Sequence, residues 1–362
     1  MPDPRRSPST VSQSSPSKAR LRRLCETLIL AFAGGGGATA LGVPAGWLTG
    51  SMLVVSLAAI LRRPLLVPLR LARAMFLLTG IAIGAVVTPE TIRGMATWPL
   101  SILMLASAML CIIAGTSWYL RRVHALDPLS ALFASFPGAL AQVIALSAHS
   151  SADLRAIAVI QSLRVLLLTL GLPYVMALFG GVAGVARGAA PHPPGPAYEL
   201  AILFLACGLV ALLLKRLRFP GGPVIHAMIP SALLHGSGLI GAVLPGWVVI
   251  GLMVMMGAIT GSRFANTDLG ILRRLFAAAL GSFAVGTGIA AVFAITAAMV
   301  LEVRIADVVL AFAPGAVDAM MLLALALGLD PIYIGAHHVA RVVIVSLCLP
   351  LFVRIAQRRR SG

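Results

Sequence analysis

Two arginines stand inside long apolar runs: Arg164 in "AIAVIQSLRVLLLTLGLP" and Arg341 in "IGAHHVARVVIVSLCLP". A charged side chain at a bilayer centre costs at least ~2.5 kcal/mol, so each guanidinium needs a partner. Two chemistries fit: binding an anionic solute, or donating to backbone carbonyls freed by a break in a neighbouring helix. Such breaks are present nearby, at Pro137-Gly138 and at Pro314-Gly315. Proline lacks an amide hydrogen and glycine relaxes the adjoining backbone, so each break frees polar groups that a ligand can use. A plain proline kink packed against its neighbours is the other reading of the same residues. Asp318, four residues past Pro314, is a carboxylate suited to coupling protons or pairing with Arg341. His337 and His338 lie four and three residues before Arg341, so part of that set shares a helix face; Gln161 takes the place of His338 before Arg164. Asp153 and Asp330 precede apolar helices, Asp330 being followed by Pro331, and both suit N-caps. Counted from these caps, each arginine lies about ten residues, or ~15 Å, into its helix.

The elements that position these residues occur twice. Pro137 and Pro314 are 177 positions apart (314 − 137), as are Gly138 and Gly315, Asp153 and Asp330, Arg164 and Arg341, and Pro173 and Pro350. "PAGWLTGSM" from Pro44 echoes "PGGPVIHAM" from Pro220 at an offset of 176 (220 − 44). Each half carries six apolar segments. If the Pro-Gly segments enter and return on one side, the basic loops at Arg62-Arg63, Arg121-Arg122, Lys215–Arg218, Arg263 and Arg273-Arg274 all face the cytoplasm, as charge bias demands. The expected fold is therefore an all-α polytopic membrane protein of two inverted repeats, each with five crossings plus one broken or re-entrant segment; kinked full spans remain the alternative. The expected organisation is a disordered basic tail over 1–23, repeat 1 over 24–180, a Pro/Gly-rich linker over 181–196, repeat 2 over 197–356 and a second basic tail over 357–362. A bacterial inner membrane with both termini cytoplasmic is the expected location.

Composition agrees. Of 362 residues 59% are hydrophobic and 11% charged, with a mean hydropathy of +1.00, about half the charge of a soluble domain. The net charge of +17 sits in tails and short loops, without a basic stripe interleaved with aromatics, so direct nucleic-acid binding is not expected. Cys25, Cys111, Cys207 and Cys348 are isolated, which suggests neither disulfides nor a thiolate metal site. His226, His235 and the His337-His338 pair have no recognised metal-ligand spacing, and no nucleophile elbow, zincin motif or P-loop is present. No metal, cofactor or enzymatic activity is expected. "GGGG" at 34–37 suits close helix packing.

The paired Pro-Gly segments, each followed by an Asp, an Arg eleven residues on and a closing Leu-Pro, resemble the duplicated AbrB-type membrane proteins from about residue 28 to 354. In that family a second Gly and then an acid usually follow Pro-Gly; here Ala139 and Gln142, and Ala316 and Ala319, hold those places, and Asp318 stands one position earlier. The resemblance implies labels of gene-expression regulation and of ammonia monooxygenase. The residues themselves point to a secondary transporter of a small solute, with an anion favoured. The alternative is a membrane-embedded regulator or sensor without net transport. Its expected partners are that solute and membrane lipids, with association of copies left open.

Overall fold

The structure is a computed structural model that describes residues 16–87, 98–137, 143, 152–178, 196–217, 222–265, 267 and 269–345. Among them there is no β-strand. The helices are α1 (Pro16–Ala40), α2 (Gly46–Ile60), α3 (Leu69–Gly84), α4 (Trp98–Val123), α5 (Pro128–Ser135), α6 (Leu154–Leu178), α7 (Ala197–Arg216), α8 (Gly222–Gly236), α9 (Gly246–Gly261), α10 (Leu269–Leu301), α11 (Ile305–Phe312), α12 (Val317–Ala326) and α13 (Pro331–Val345).

Helix lengths recur along the chain. α3 and α9 have 16 residues each and start 177 apart (246 − 69); α5 and α11 have 8 each at the same offset (305 − 128). α2 and α8 have 15 each and start 176 apart (222 − 46). Packing partners recur too, because α9 lies on α2 whereas α3 lies on α8. α1 completes the first of these layers and α7 the second, while α4 and α10 pack on each other.

Among the described residues five helices are long and apolar enough to cross a membrane: α4, α6, α7, α10, and α9 together with the 3-10 turn that continues it to Phe264. α2, α12 and α13 are apolar but shorter. The outward faces are themselves apolar. α7 exposes Ile202, Leu205, Leu209 and Leu212 and buries only Leu203, Cys207 and Ala211. Burying such surface is worth ~25 cal/mol per Å², so these faces belong against lipid rather than water. The chain is a polytopic membrane protein, all-helical among the described residues.

Two boundaries differ from the sequence expectation. α1 begins at Pro16, inside the segment expected to be disordered, because "KARLRRLCETL" consists largely of good helix formers. α10 begins at Leu269 and carries Arg273 and Arg274 in its second turn, so its basic residues extend the span rather than precede it. The tails before residue 16 and after 345, most of the linker, and Gly138 lie outside the described residues.

The glycines of 34–37 divide. Gly34 and Gly35 lie directly against Trp47, Gly50, Ser51 and Val54 of α2, whereas a Cβ at Gly37 would meet nothing within 4 Å. The first pair sets the α1–α2 approach.

Candidate functional site

The site is built on two short helices that end at prolines. Asp127 accepts hydrogen bonds from the amides of Leu129 and Ser130, with Pro128 in the first turn, and so starts α5. Phe136 ends it with an extended backbone (φ −66°, ψ 121°), because a residue before proline is driven out of the helical region. α11 stops in the same way, at Ala313 (φ −56°, ψ 128°) before Pro314. The last carbonyls of both helices are thus released inside the protein, where they need donors.

The two arginines supply them. Arg164 donates from Nη1 to the Ala134 carbonyl (3.3 Å) and from Nη2 to that of Phe136 (2.9 Å). Arg341 donates from Nη1 to the Ala313 carbonyl (2.5 Å) and from Nη2 to that of Gly315 (2.9 Å). Both therefore serve the residue immediately before the proline. Gln161 adds a bond from Nε2 to the Phe133 carbonyl (2.8 Å). His338 accepts at Nδ1 from Arg341 Nη2. The burial is extreme: Arg164 is 4% exposed, Arg341 1%, His338 0% and Gln161 2%. Electrostatic repulsion from Arg164 reaches Arg341. Among the described residues the ion pairs are Arg63–Glu26, Arg263–Asp318 and Arg304–Asp307, so neither central arginine has a carboxylate partner. Nε of each remains buried without a hydrogen bond.

Asp318 is not beside Arg341's donors. It lies in the first turn of α12, 4.0 Å from the Arg263 guanidinium that follows α9. Both Nη groups of Arg341 are already committed to carbonyls, whereas Arg263 is partly exposed and free to turn toward the carboxylate. Pro137, Pro314 and Gly315 are buried at the breaks.

Asp153 and Asp330 cap α6 and α13. Each Oδ1 accepts two amides of the first turn, from Arg155 and Ala156 in one helix and from Ile332 and Tyr333 in the other. Their own amides are also bound, at positions 177 apart (307 − 130). Ser130 Oγ accepts from the Asp153 amide (2.6 Å), and Asp307 Oδ1 accepts from that of Asp330 (2.8 Å). Arg304 grips Asp307 through Nε and Nη2 and reaches the Gly328 carbonyl (3.3 Å). The start of α11 therefore touches the end of α12, and the two form a hairpin with the Pro-Gly break at its tip. At 1.5 Å per residue, the 8 residues of α11 reach about 12 Å and the 10 of α12 about 15 Å. Arg341, ten residues into α13 (341 − 331), meets the tip at that depth.

Ser130, Asp307 and Arg304 were not singled out in the sequence, although Ser130 and Asp307 share the repeat offset. Asp307→Ala is expected to destabilise the protein by about 1–3 kcal/mol by leaving the Asp330 amide without its acceptor. Asp307→Ser, which installs the first-half residue, should recover most of that loss; thermal unfolding in detergent measures both. Ser101 and Tyr333 were also unforeseen. His337 turns away from Arg341: its Nδ1 donates to the Tyr333 carbonyl (2.7 Å) and its Nε2 accepts from Ser101 Oγ (2.7 Å), which bonds the Tyr333 hydroxyl. This cluster ties α4 to α13, and its residues give no periodic signal.

Two relatives match most of the chain. One is "Uncharacterized protein YhjN" of Bacillus subtilis (strain 168), 22% identical over 91% of this chain and 91% of its own length. The other is "Putative regulator AbrB" of Escherichia coli (strain K12), 27% identical over 80% of this chain and 84% of its own. The family model described as "Transition state regulatory protein AbrB" matches residues 47–357, which include both proline breaks and both central arginines. By that match the chain belongs to the AbrB family.

Proposed function

We propose that this protein is a secondary transporter for a small anionic solute, with Arg164 and Arg341 as the ligands that receive it. One observation carries the proposal: two buried guanidiniums, one from each half, have no carboxylate partner among the described residues, Arg164 repels Arg341, and each keeps an unused Nε–H. Positive charge placed so deep is costly, and an anion entering between the arginines relieves it.

The architecture in this proposal is two inverted repeats, each with five crossings and one re-entrant hairpin, in a bacterial inner membrane with cytoplasmic termini. Three features support it. Helix lengths recur at the 176–177 offset. Basic residues sit at opposite ends of corresponding helices: Arg121 and Arg122 close α4 whereas Arg273 and Arg274 lie near the start of α10, and Lys215 and Arg216 close α7 whereas Arg22 and Arg23 lie near the start of α1. Charge bias then places the two halves in opposite orientations. Finally, the feet of the α11–α12 hairpin meet on one side. Broken helices at matching positions of inverted halves are where carriers of this build bind their cargo.

The name "Putative regulator AbrB" of one relative favours a second reading, in which the protein senses a ligand and moves nothing. Purified protein reconstituted in liposomes separates the two. A transporter is expected to exchange labelled anion against an internal pool of the same anion, with flux lost in Arg341→Met. Saturable binding without any exchange would instead support the sensor.

A further inference from the structure

We propose that the cavity where the ends of α1, α2 and α9 meet is a binding site for the phosphate headgroup of an anionic phospholipid, with Arg23, Arg62 and Arg63 as its ligands. It stands apart from the transport reading.

The cavity measures about 500 Å³, within the ~300–1,000 Å³ of small-molecule sites. Arg23 of α1, residues 62–66 of the turn between α2 and α3, and Ala265 and Thr267 after α9 line it. Its walls are tied together. Thr27 Oγ1, on α1, donates to the Arg23 carbonyl (2.7 Å) and accepts from the Leu66 amide (3.0 Å). The turn ends α2 in a Schellman motif: the Arg62 amide donates to the Ala59 carbonyl and the Arg63 amide to that of Ala58, both at 3.0 Å.

Arg62 is the informative residue. It sits in the left-handed region (φ 62°), where a side chain is unfavourable and glycine is usual. The second half builds the same turn 176 positions on (238 − 62). There the Gly238 amide donates to the His235 carbonyl and the Leu239 amide to that of Leu234, and glycine holds the left-handed place (φ 74°). The first half thus carries arginine where its own repeat uses glycine, with Arg63 in place of Leu239. Charge bias explains basic residues somewhere in this turn. It does not explain one at the strained position, lining a cavity that another arginine lines from a different helix.

Charge and surroundings select the ligand. Arg63 has Glu26 at 3.7 Å, whereas among the described residues Arg23 and Arg62 form no ion pair. Three cations and one carboxylate leave two positive charges (3 − 1). Phosphate oxygens only accept, and guanidiniums bind them with paired N–H bonds. Exposed Leu53, Leu57 and Leu61 follow one another at a spacing of four, a single stripe along α2 that ends at the residue before Arg62. An acyl chain lying on that stripe brings its own phosphate to the arginines, an advantage that a free phosphate lacks. Basic pockets between helices at the cytoplasmic face hold lipid headgroups in this way.

The test uses full-length protein in detergent, with bound lipid counted by native mass spectrometry after addition of phosphatidylglycerol or phosphatidylcholine. Phosphatidylglycerol is expected to be retained about tenfold better, since each arginine near an anionic lipid is worth about fivefold. Arg23→Gln/Arg62→Gln should reduce that preference to about twofold or less. Arg121→Gln/Arg122→Gln, an equal loss of charge at the end of α4, should keep it. Arg62→Gly should unfold at a higher temperature than wild type without lipid, because glycine relieves the left-handed backbone, yet lose about fivefold in phosphatidylglycerol retention. Equal retention of the two lipids by the wild type would overturn the proposal. So would equal loss of preference in the two double variants, or unchanged retention in Arg62→Gly. Inorganic phosphate that displaces phosphatidylglycerol at comparable concentration would overturn it too, and give the cavity to a free anion. Arg62→Gly tests the site even where the double variant misfolds.

Discussion

Arg341→Met is expected to abolish anion exchange and to lower stability more than Arg164→Met does. The methionine fills much of the arginine's stem but donates nothing. Two carbonyls, of Ala313 and Gly315, and the Nδ1 of His338 lose their donor together. A buried acceptor left unsatisfied costs about 1–3 kcal/mol. Removing a deeply buried charge, which Arg164 also repels, returns part of that sum, because burying an ion carries a penalty of several kcal/mol. The net expectation is a loss of about 2–3 kcal/mol. Arg164 serves two carbonyls only, so Arg164→Met should lose less. Arg341→Lys should fail in exchange as well, since one ammonium cannot span two carbonyls and a ring nitrogen as a planar fork does. Thermal unfolding in detergent reads the stability ranking, and liposome exchange reads the activity. A fully active Arg341→Met would remove the arginine from the solute path.

The arginines, the proline breaks and the caps were legible because each is a strong local signal in an apolar background. Charge at mid-helix, Pro-Gly, and Asp before an apolar run all stand out of the sequence without knowledge of neighbours, and the 177-residue offset ties them into pairs. Partner choice was less legible. Asp318 was read as a carboxylate for coupling protons or for pairing with Arg341, but its ion pair is with Arg263, a residue brought in from the end of α9 by tertiary packing. The split between His337 and His338 also escaped, because consecutive helical residues point about 100° apart and only the packed neighbours decide which one meets the arginine. Ser101, on α4, reaches His337 from 236 positions away, and no periodicity records that distance. The hairpin depended on long-range bonds in the same way: Ser130 and Asp307 became informative only once each was seen holding the amide of a capping Asp.

The largest packing effect should come from one glycine pair that the sequence carries twice. "GIAIG" at 80–84 on α3 and "GAITG" at 257–261 on α9 stand 177 apart (257 − 80), and each faces a helix of the other half. A Cβ at Gly80 would lie 2.1 Å from the Val224 carbonyl oxygen on α8, and one at Gly257 would lie 2.6 Å from Cβ of Ser51 on α2. Neither obstacle is the flexible end of a side chain, so the helices themselves must separate. Alanine in a helix ordinarily gains about 1 kcal/mol over glycine. At these two positions the sign should reverse, because overpacking a close contact costs about 1–3 kcal/mol and here displaces backbone. Gly80→Ala and Gly257→Ala are therefore expected to lower the unfolding temperature, and the double variant to lower it further, since the two contacts lie on different helix pairs. Gly208→Ala on α7, where a Cβ would meet nothing within 4 Å, should leave it unchanged or raise it. If Gly80→Ala and Gly208→Ala shift stability alike, the close approach of α3 to α8 is not what holds the two halves together, and the inter-half contact would have to rest on the broader apolar surface of α4 and α10.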